Sequence, residues 1–175
     1  MALSLSKTER NSEAFQYAKM AAEAAPDNYE YQNTYASVLA ATGNGVLARQ
    51  QMDKLIGENP GNLDLLLNRS FSYRQEGNYE QEIIELKALI EKATDYLPAF
   101  KNIGVTLSQL GRNAETIIFW EKVAALDSSA DYEYNIGINY ANQNRVSDAI
   151  PWYQKVSRKG KEEAIDLLSR NGVSY

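Results

Sequence analysis

A small residue returns at a near-constant interval along the chain: Ala36, Ser70, Gly104 and Gly137 stand 34, 34 and 33 residues apart. Each lies in a segment whose apolar residues recur at helical spacing, so the repeated unit is helical. The clearest copy is Leu97 to Asp127. It carries Phe100, Ile103, Val105, Leu107 and Leu110 before Gly111, and Ile117, Ile118, Trp120, Val123 and Leu126 after it. Gly111-Arg112-Asn113 is a turn between the two stripes, and the unit is therefore a helical hairpin. This periodicity decides the fold class as all-α, built from stacked helix-turn-helix units.

Taken in order, residues 1–28 form a partial leading repeat. Its helix, Ser12 to Ala25, places Phe15, Ala18, Ala21 and Ala22 on one side and ends at Pro26-Asp27-Asn28. Counting back one repeat from Ala36 leaves Leu3 and Leu5 as the last turn of a preceding helix, as expected of a truncated repeat or a degenerate cap. Complete hairpins occupy residues 29–62, 63–96, 97–129 and 130–160. The first has helix A over roughly Tyr29 to Thr42, a Gly43-Asn44-Gly45 turn, helix B from Val46 to about Gly57, and a stop at Asn59-Pro60-Gly61-Asn62. The second sets Leu66, Phe71 and Tyr73 before Gly77-Asn78, then Ile83, Leu86 and Leu89. The fourth sets Tyr134, Ile136, Gly137 and Tyr140 before Ala149, Trp152, Tyr153 and Val156. Pro151 is expected in the first turn of a helix beginning near Ser147, where a missing N–H costs little. Residues 161–175 hold a capping helix, Glu162 to Arg170, with Ala164, Ile165, Leu167 and Leu168 on one side. Asn171-Gly172 ends it, and Val173-Ser174-Tyr175 is expected to fray.

Composition then removes most enzyme chemistry. There is no Cys and no His, so the chain has no thiol nucleophile, imidazole base, Ser-His-Asp triad or Cys/His zinc site. No catalytic residue, metal ligand or cofactor is assigned, and the missing thiols leave the redox compartment open. The net charge of −5, with no basic run longer than Arg158-Lys159-Gly160-Lys161, argues against nucleic acid. No apolar run approaches the ~20 residues that cross a bilayer, and Met1 to Asn11 has no apolar core of a signal peptide. A soluble chain without membrane insertion is expected, with cytoplasm as the default compartment.

Further anchors share the register of the small residue. Three positions on stands a large residue, Leu39, Tyr73, Leu107 or Tyr140. The interhelix Gly is Gly43, Gly77 or Gly111, with Asn144 departing. The small residue of the second helix is Ala14, Ala48 or Ala149, with Glu82 and Thr116 departing. A closing Pro stands at Pro26 and Pro60 and is replaced by Thr94 and Ser128. On these residues, from about Ser12 to Lys159, the chain resembles the tetratricopeptide repeat, a 34-residue helix-turn-helix unit. The resemblance implies a right-handed superhelical solenoid whose concave wall is lined by the successive A helices and holds a peptide. The anchors themselves have a packing reason, so Met52, Leu86, Trp120, Trp152, Val123 and Val156 are assigned to the core.

Candidate binding residues lie elsewhere on the A helices. Two positions before the small residue stand Thr34, Asn68, Asn102 and Asn135. Stacking is expected to align the three Asn as a ladder, and a carboxamide accepts from and donates to one peptide unit at once. In tetratricopeptide proteins that grip extended peptides Asn here is used so, which the resemblance carries to Asn68, Asn102 and Asn135. Helix capping or bridging without a ligand is the structural alternative. Asn33, Ser37, Ala40, Ser108, Gln109 and Asn142 complete the expected wall. Leu67, Phe71, Val105, Tyr134 and Ile138 suggest pockets for apolar side chains, while Arg74 and Lys101 are placed to meet an acidic group.

The clamp that some members of this family use on acidic chaperone tails is not matched, since Asn33 or Leu67 and Pro98 or Asp131 stand where cations belong. Gly43-Asn44-Gly45 follows a helix, so a turn explains both glycines and no dinucleotide site is assigned. The Asn68-Arg69-Ser70 sequon lies within a packed helix. The expected role is a non-enzymatic scaffold for an extended or helical segment of a protein or peptide partner. Two alternatives remain open: assembly or homodimerisation through Phe15, Tyr17 and the Ala-rich N-terminal helix, and a docking arm of a larger protein.

Overall fold

The structure is a computed structural model that describes residues 2–127, 129–170 and 172. Ser128, Asn171 and Val173 to Tyr175 lie outside the described residues. Ten α-helices and no strand occur among those described: α1 (Ala2–Ala24), α2 (Tyr29–Ala41), α3 (Gly45–Glu58), α4 (Leu63–Gln75), α5 (Tyr79–Lys92), α6 (Leu97–Gln109), α7 (Asn113–Leu126), α8 (Ala130–Asn142), α9 (Val146–Ser157) and α10 (Glu162–Arg170). The A helices are α2, α4, α6 and α8, and the B helices α3, α5, α7 and α9. By internal packing the chain divides into two units, residues 1–89 and 90–175, and the division falls inside α5.

Local sequence sets the helix ends. Asn28, Asn62 and Ser129 cap α2, α4 and α8, their side-chain oxygens accepting from Tyr31 N, from Asp64 N and Leu65 N, and from Asp131 N. In α6 Pro98 occupies the first turn instead. Each A helix then reverses through a left-handed residue: Gly43, Gly77 and Gly111 at φ +85°, +75° and +68°, and Asn144 at +58°. Asn144 breaks the glycine pattern without breaking the turn, because Asn tolerates this backbone region better than other side chains do. Gly45 has another reason: it opens α3 against the Glu76 carboxylate, which an added Cβ would strike.

The small anchors act by contact with the B helix. A Cβ on Gly104 would meet the Trp120 ring at 2.9 Å, and one on Gly137 the Tyr153 ring at 2.5 Å. In the first hairpin Ala36 shares a buried cluster with Met52, Ala48, Leu39 and Ala40. Trp120 and Tyr153 therefore occupy the same place in successive hairpins. Trp152, assigned to the core from sequence, is only half-buried beside it. Val123 and Val156 are fully buried. At the C-terminus α10 lays Ala164 and Leu168 against Tyr153 and Val156.

Two local expectations are corrected. A single helix spans Ala2–Ala24, so Leu3 and Leu5 share a helix with Ser12 rather than ending an earlier one. Pro151 is the sixth residue of α9, inside the helix and not in its first turn. Ser147 and Pro151 are both exposed, which opens the carbonyl that loses its donor to water.

A buried carboxylate also joins α8 to α9. Glu133 is 2% exposed and receives Lys155 at 2.6 Å and Lys159 at 2.5 Å. Burial pushes its carboxyl up, but hydrogen bonds and charge from the two lysines outweigh this and hold it below the usual range.

Gly111→Ala should cost about 1–2 kcal/mol in urea unfolding, whereas Asn144→Gly should be neutral or stabilise by up to about 1 kcal/mol. The depressed Glu133 value means that its contribution is complete above the unfolded value of about 4.3 and is lost as pH falls through the folded value. Glu133→Gln should therefore destabilise by about 2 kcal/mol at neutral pH. The gap between wild type and variant should close on acidification, as thermal melts across pH would show.

Candidate peptide-contact faces

In the unit of residues 1–89 the relevant faces belong to α2 and α4. Asn68 is half-buried, and its Nδ2 donates to Asn33 Oδ1 at 3.2 Å. The pair ties one A helix to the next, a bridge that sequence spacing did not reveal. Leu67 is half-buried beside it. Phe71, one turn on from Leu67, is 37% exposed, with the Arg74 guanidinium 5.7 Å from its ring centroid.

Arg74 does not reach outward for an acid. Its Nη2 lies 2.6 Å from Glu82 Oε1, and Glu82 is 0% exposed. Glu82 is the residue that departs from the small position of helix B, and the structure explains the departure: the carboxylate neutralises a cation brought from the facing A helix. Arg49 is held similarly, with Nη1 2.9 Å from Glu76 Oε2 and its guanidinium 4.3 Å from the Tyr73 ring centroid.

A cleft of about 510 Å³ opens in the same unit, lined by Ser12, Phe15, Ala40, Thr42, Asn44 and Gln75 among others. No motif announced it, because its wall combines one residue type after another from α1, the end of α2, the following turn and the end of α4. Phe15 belongs as much to the core as to this cleft, since its ring lies 5.9 Å from that of Tyr35.

In the unit of residues 90–175 the faces belong to α6 and α8. Asn102 Nδ2 donates to Pro98 O at 2.9 Å, whereas the backbone carbonyl of Asn135 accepts from Asn139 Nδ2 at 2.8 Å. The three asparagines thus share a register but not a bonding pattern. Val105 is 37% exposed. One turn before it, Lys101 Nζ lies 3.4 Å from Asp127 Oδ2 and 4.6 Å from the Tyr132 ring centroid. Hydrogen bonding with Tyr132 and attraction to Asp127, opposed by some desolvation, raise its pKa above the ordinary ammonium value.

Tyr134 and Ile138 are half-buried and pack against Ala149, Tyr153, Val156, Ala164 and Leu168. Lys161 Nζ sits 5.3 Å from the Tyr134 ring centroid. Burial raises the Tyr134 hydroxyl above its ordinary pKa and pushes that of Tyr153 up to about 12. Asn139, also buried, was missed from sequence because an Asn within a helix carries no signal of burial. Of the apolar candidates, Phe71 and Val105 present the most surface.

No described helix is long and apolar enough to cross a membrane. No protein-family model matches the sequence, and no curated protein matches it. Solved structures do match. A crystal structure of MamA superposes with a TM-score of 0.69 at 17% identity, covering 88% of this chain and 91% of that one. TTC0263, a thermophilic TPR protein of Thermus thermophilus, gives 0.62 at 20%, covering 96% and 92%. At such identities the likeness is one of fold: the chain has the tetratricopeptide-like helical-repeat architecture, all-α and built of helix-turn-helix units.

The two A-helix cations should differ sharply when removed. Arg74→Ala takes the guanidinium from a buried carboxylate and should cost about 3 kcal/mol. Lys101→Ala breaks a partly exposed pair and should cost under about 1 kcal/mol. Urea unfolding followed by circular dichroism measures both.

Proposed function

We propose that this helical-repeat chain is a non-enzymatic protein-interaction module whose A-helix faces hold an extended or helical segment of a protein partner. The observation that carries the reading is the placement of Phe71 and Val105. Both stand immediately after the small anchor, on the helix face that carries Leu67 in one unit and Lys101 in the other, and both keep more than a third of their surface exposed. Apolar surface at a repeated register, next to the carboxamides Asn68 and Asn102, supplies the two ingredients of peptide binding: burial for side chains and polar contacts for backbone. Asn135, Tyr134 and Ile138 continue the pattern on α8, with less surface to offer. The reading invokes no cofactor, nucleic acid or membrane insertion.

Assembly through α1 is a second reading, favoured by the exposure of Tyr17 at 71% and Met20 at 61% on that helix. Sedimentation velocity separates the two, since assembly requires a mass that grows with concentration and falls in Tyr17→Ser/Met20→Ser.

The first reading is tested by pull-down from native lysate with wild type, Phe71→Ser/Val105→Ser, and Asn68→Ala/Asn102→Ala/Asn135→Ala, each checked for equal helicity and melting. Losing two buried apolar contacts should weaken partner retention more than tenfold. Retention of the same proteins by all three chains would remove the A-helix faces from the binding surface.

A further inference from the structure

The peptide-binding reading leaves open whether the held segment is extended or helical, and the inference that follows rests on it. Asn33 on α2 and Asn68 on α4 share a single hydrogen bond, from Asn68 Nδ2 to Asn33 Oδ1 at 3.2 Å. Two carboxamides joined by one bond keep one donor and one acceptor in reserve. Here these are Asn33 Nδ2 and Asn68 Oδ1, and among the described residues neither has another partner. Turning both amides over would exchange their roles and still leave one of each.

Both residues are half-buried, and neither reserve group is among the fully covered polar atoms that lack a hydrogen bond. A ligand can therefore reach them. Phe71 follows Asn68 by one turn on the same helix face, with 37% of its surface exposed. Leu67, Lys101 and Tyr134 take the Asn33 register on the later A helices, so such a pair occurs once. Asn102, which has the Asn68 register on α6, gives its Nδ2 to Pro98 O of its own helix.

A donor and an acceptor held side by side match the N–H and C=O of one residue in an extended chain, which leave the backbone on the same side. A helix offers no such match. Its interior N–H and C=O groups bond to each other, and those left free are donors at one end and acceptors at the other.

We propose that the α2–α4 face takes its partner as an extended strand. Asn33 and Asn68 together hold the N–H and C=O of one backbone residue, and Phe71 covers an apolar side chain beside it. An extended chain advances about 3.3 Å per residue, and Phe71 lies about 5–6 Å along α4 from Asn68. The covered side chain is thus one or two residues from the gripped one. Neither carboxamide gives up the bond between them to do this.

The test begins with a random twelve-residue peptide library displayed on phage and selected against the full chain. Selected sequences are synthesised unmodified, with a backbone N-methyl group at each position in turn, and with helix-favouring α-methylalanine at alternate positions. Fluorescence anisotropy reads their affinities for wild type, Asn33→Ala, Asn68→Ala and Phe71→Asp, all checked for equal helicity and melting. One N-methyl position should weaken binding to wild type about five- to tenfold, as loss of one backbone hydrogen bond does. That penalty should vanish in Asn68→Ala, which has no acceptor left to lose. Asn33→Ala should weaken the unmodified peptide by a similar factor, and α-methylalanine should weaken binding to wild type. A penalty that persists in Asn68→Ala, full affinity in Asn33→Ala, or tighter binding of the α-methylalanine peptides overturns the extended grip. If Phe71→Asp still lowers affinity in that case, the peptide-binding reading survives without it. Undiminished binding to a folded Phe71→Asp chain, or a selection that returns no peptide, removes the α2–α4 face as a peptide site and the inference with it.

Discussion

Everything else in this chain depends on how closely an A helix approaches its B helix. At Gly104 and Gly137 the approach leaves no room for a single carbon, because aromatic rings from Trp120 and Tyr153 already occupy it. A glycine inside a helix costs about 1 kcal/mol relative to alanine. Burial of an aromatic ring returns more than that. Where the B helix brings Met52 instead, Ala36 suffices. At these three anchors, Ala36, Gly104 and Gly137, the size of the anchor follows the size of what lies against it.

The same compensation accounts for the charged residues in the interior. Glu82 stands where a small residue is usual, and a large anion there is tolerable only because Arg74 arrives from the adjoining A helix. Glu133 uses two lysines, one within α9 and one just past its end, for the same purpose. Arg69 sits between Asp53 and Glu85, joining α4 to its neighbours α3 and α5. These pairs tie each charge to partners on a neighbouring element, and removing one partner of a buried pair would leave the other charge uncompensated.

Helix positions were legible in the sequence because they depend on signals a few residues apart: the stops at Pro26-Asp27-Asn28 and Asn59-Pro60-Gly61-Asn62, and the turns at Gly43, Gly77 and Gly111. The exceptions are also local. Asn144 takes a turn normally given to Gly, and Pro151 lies past the first turn, as the sixth residue of α9. Trp152 was assigned to the core, yet it is Tyr153 that faces the anchor, adjacent aromatics being only about 100° apart around a helix. Side-chain partners were not legible at all. Asn68 and Asn33 are 35 residues apart, and Arg74 could be assigned a solvent role only while Glu82 was treated as a departure from pattern.

That last distinction bears on function. A cation on a repeat face invites the inference that it reads an acid, and sequence contains no information on whether a carboxylate from the next helix has already met it. Here the neutralisation is built from residues one repeat element away, so it is part of the folded surface before any partner arrives. The exposed apolar groups, Phe71 and Val105, can gain from a partner without first giving up an internal bond. Residues already paired would have to lose a contact to make one, and the net gain would be small. On a scaffold whose hairpins share one architecture, partner choice therefore resides less in which residue types occur than in which of them the fold has left uncommitted.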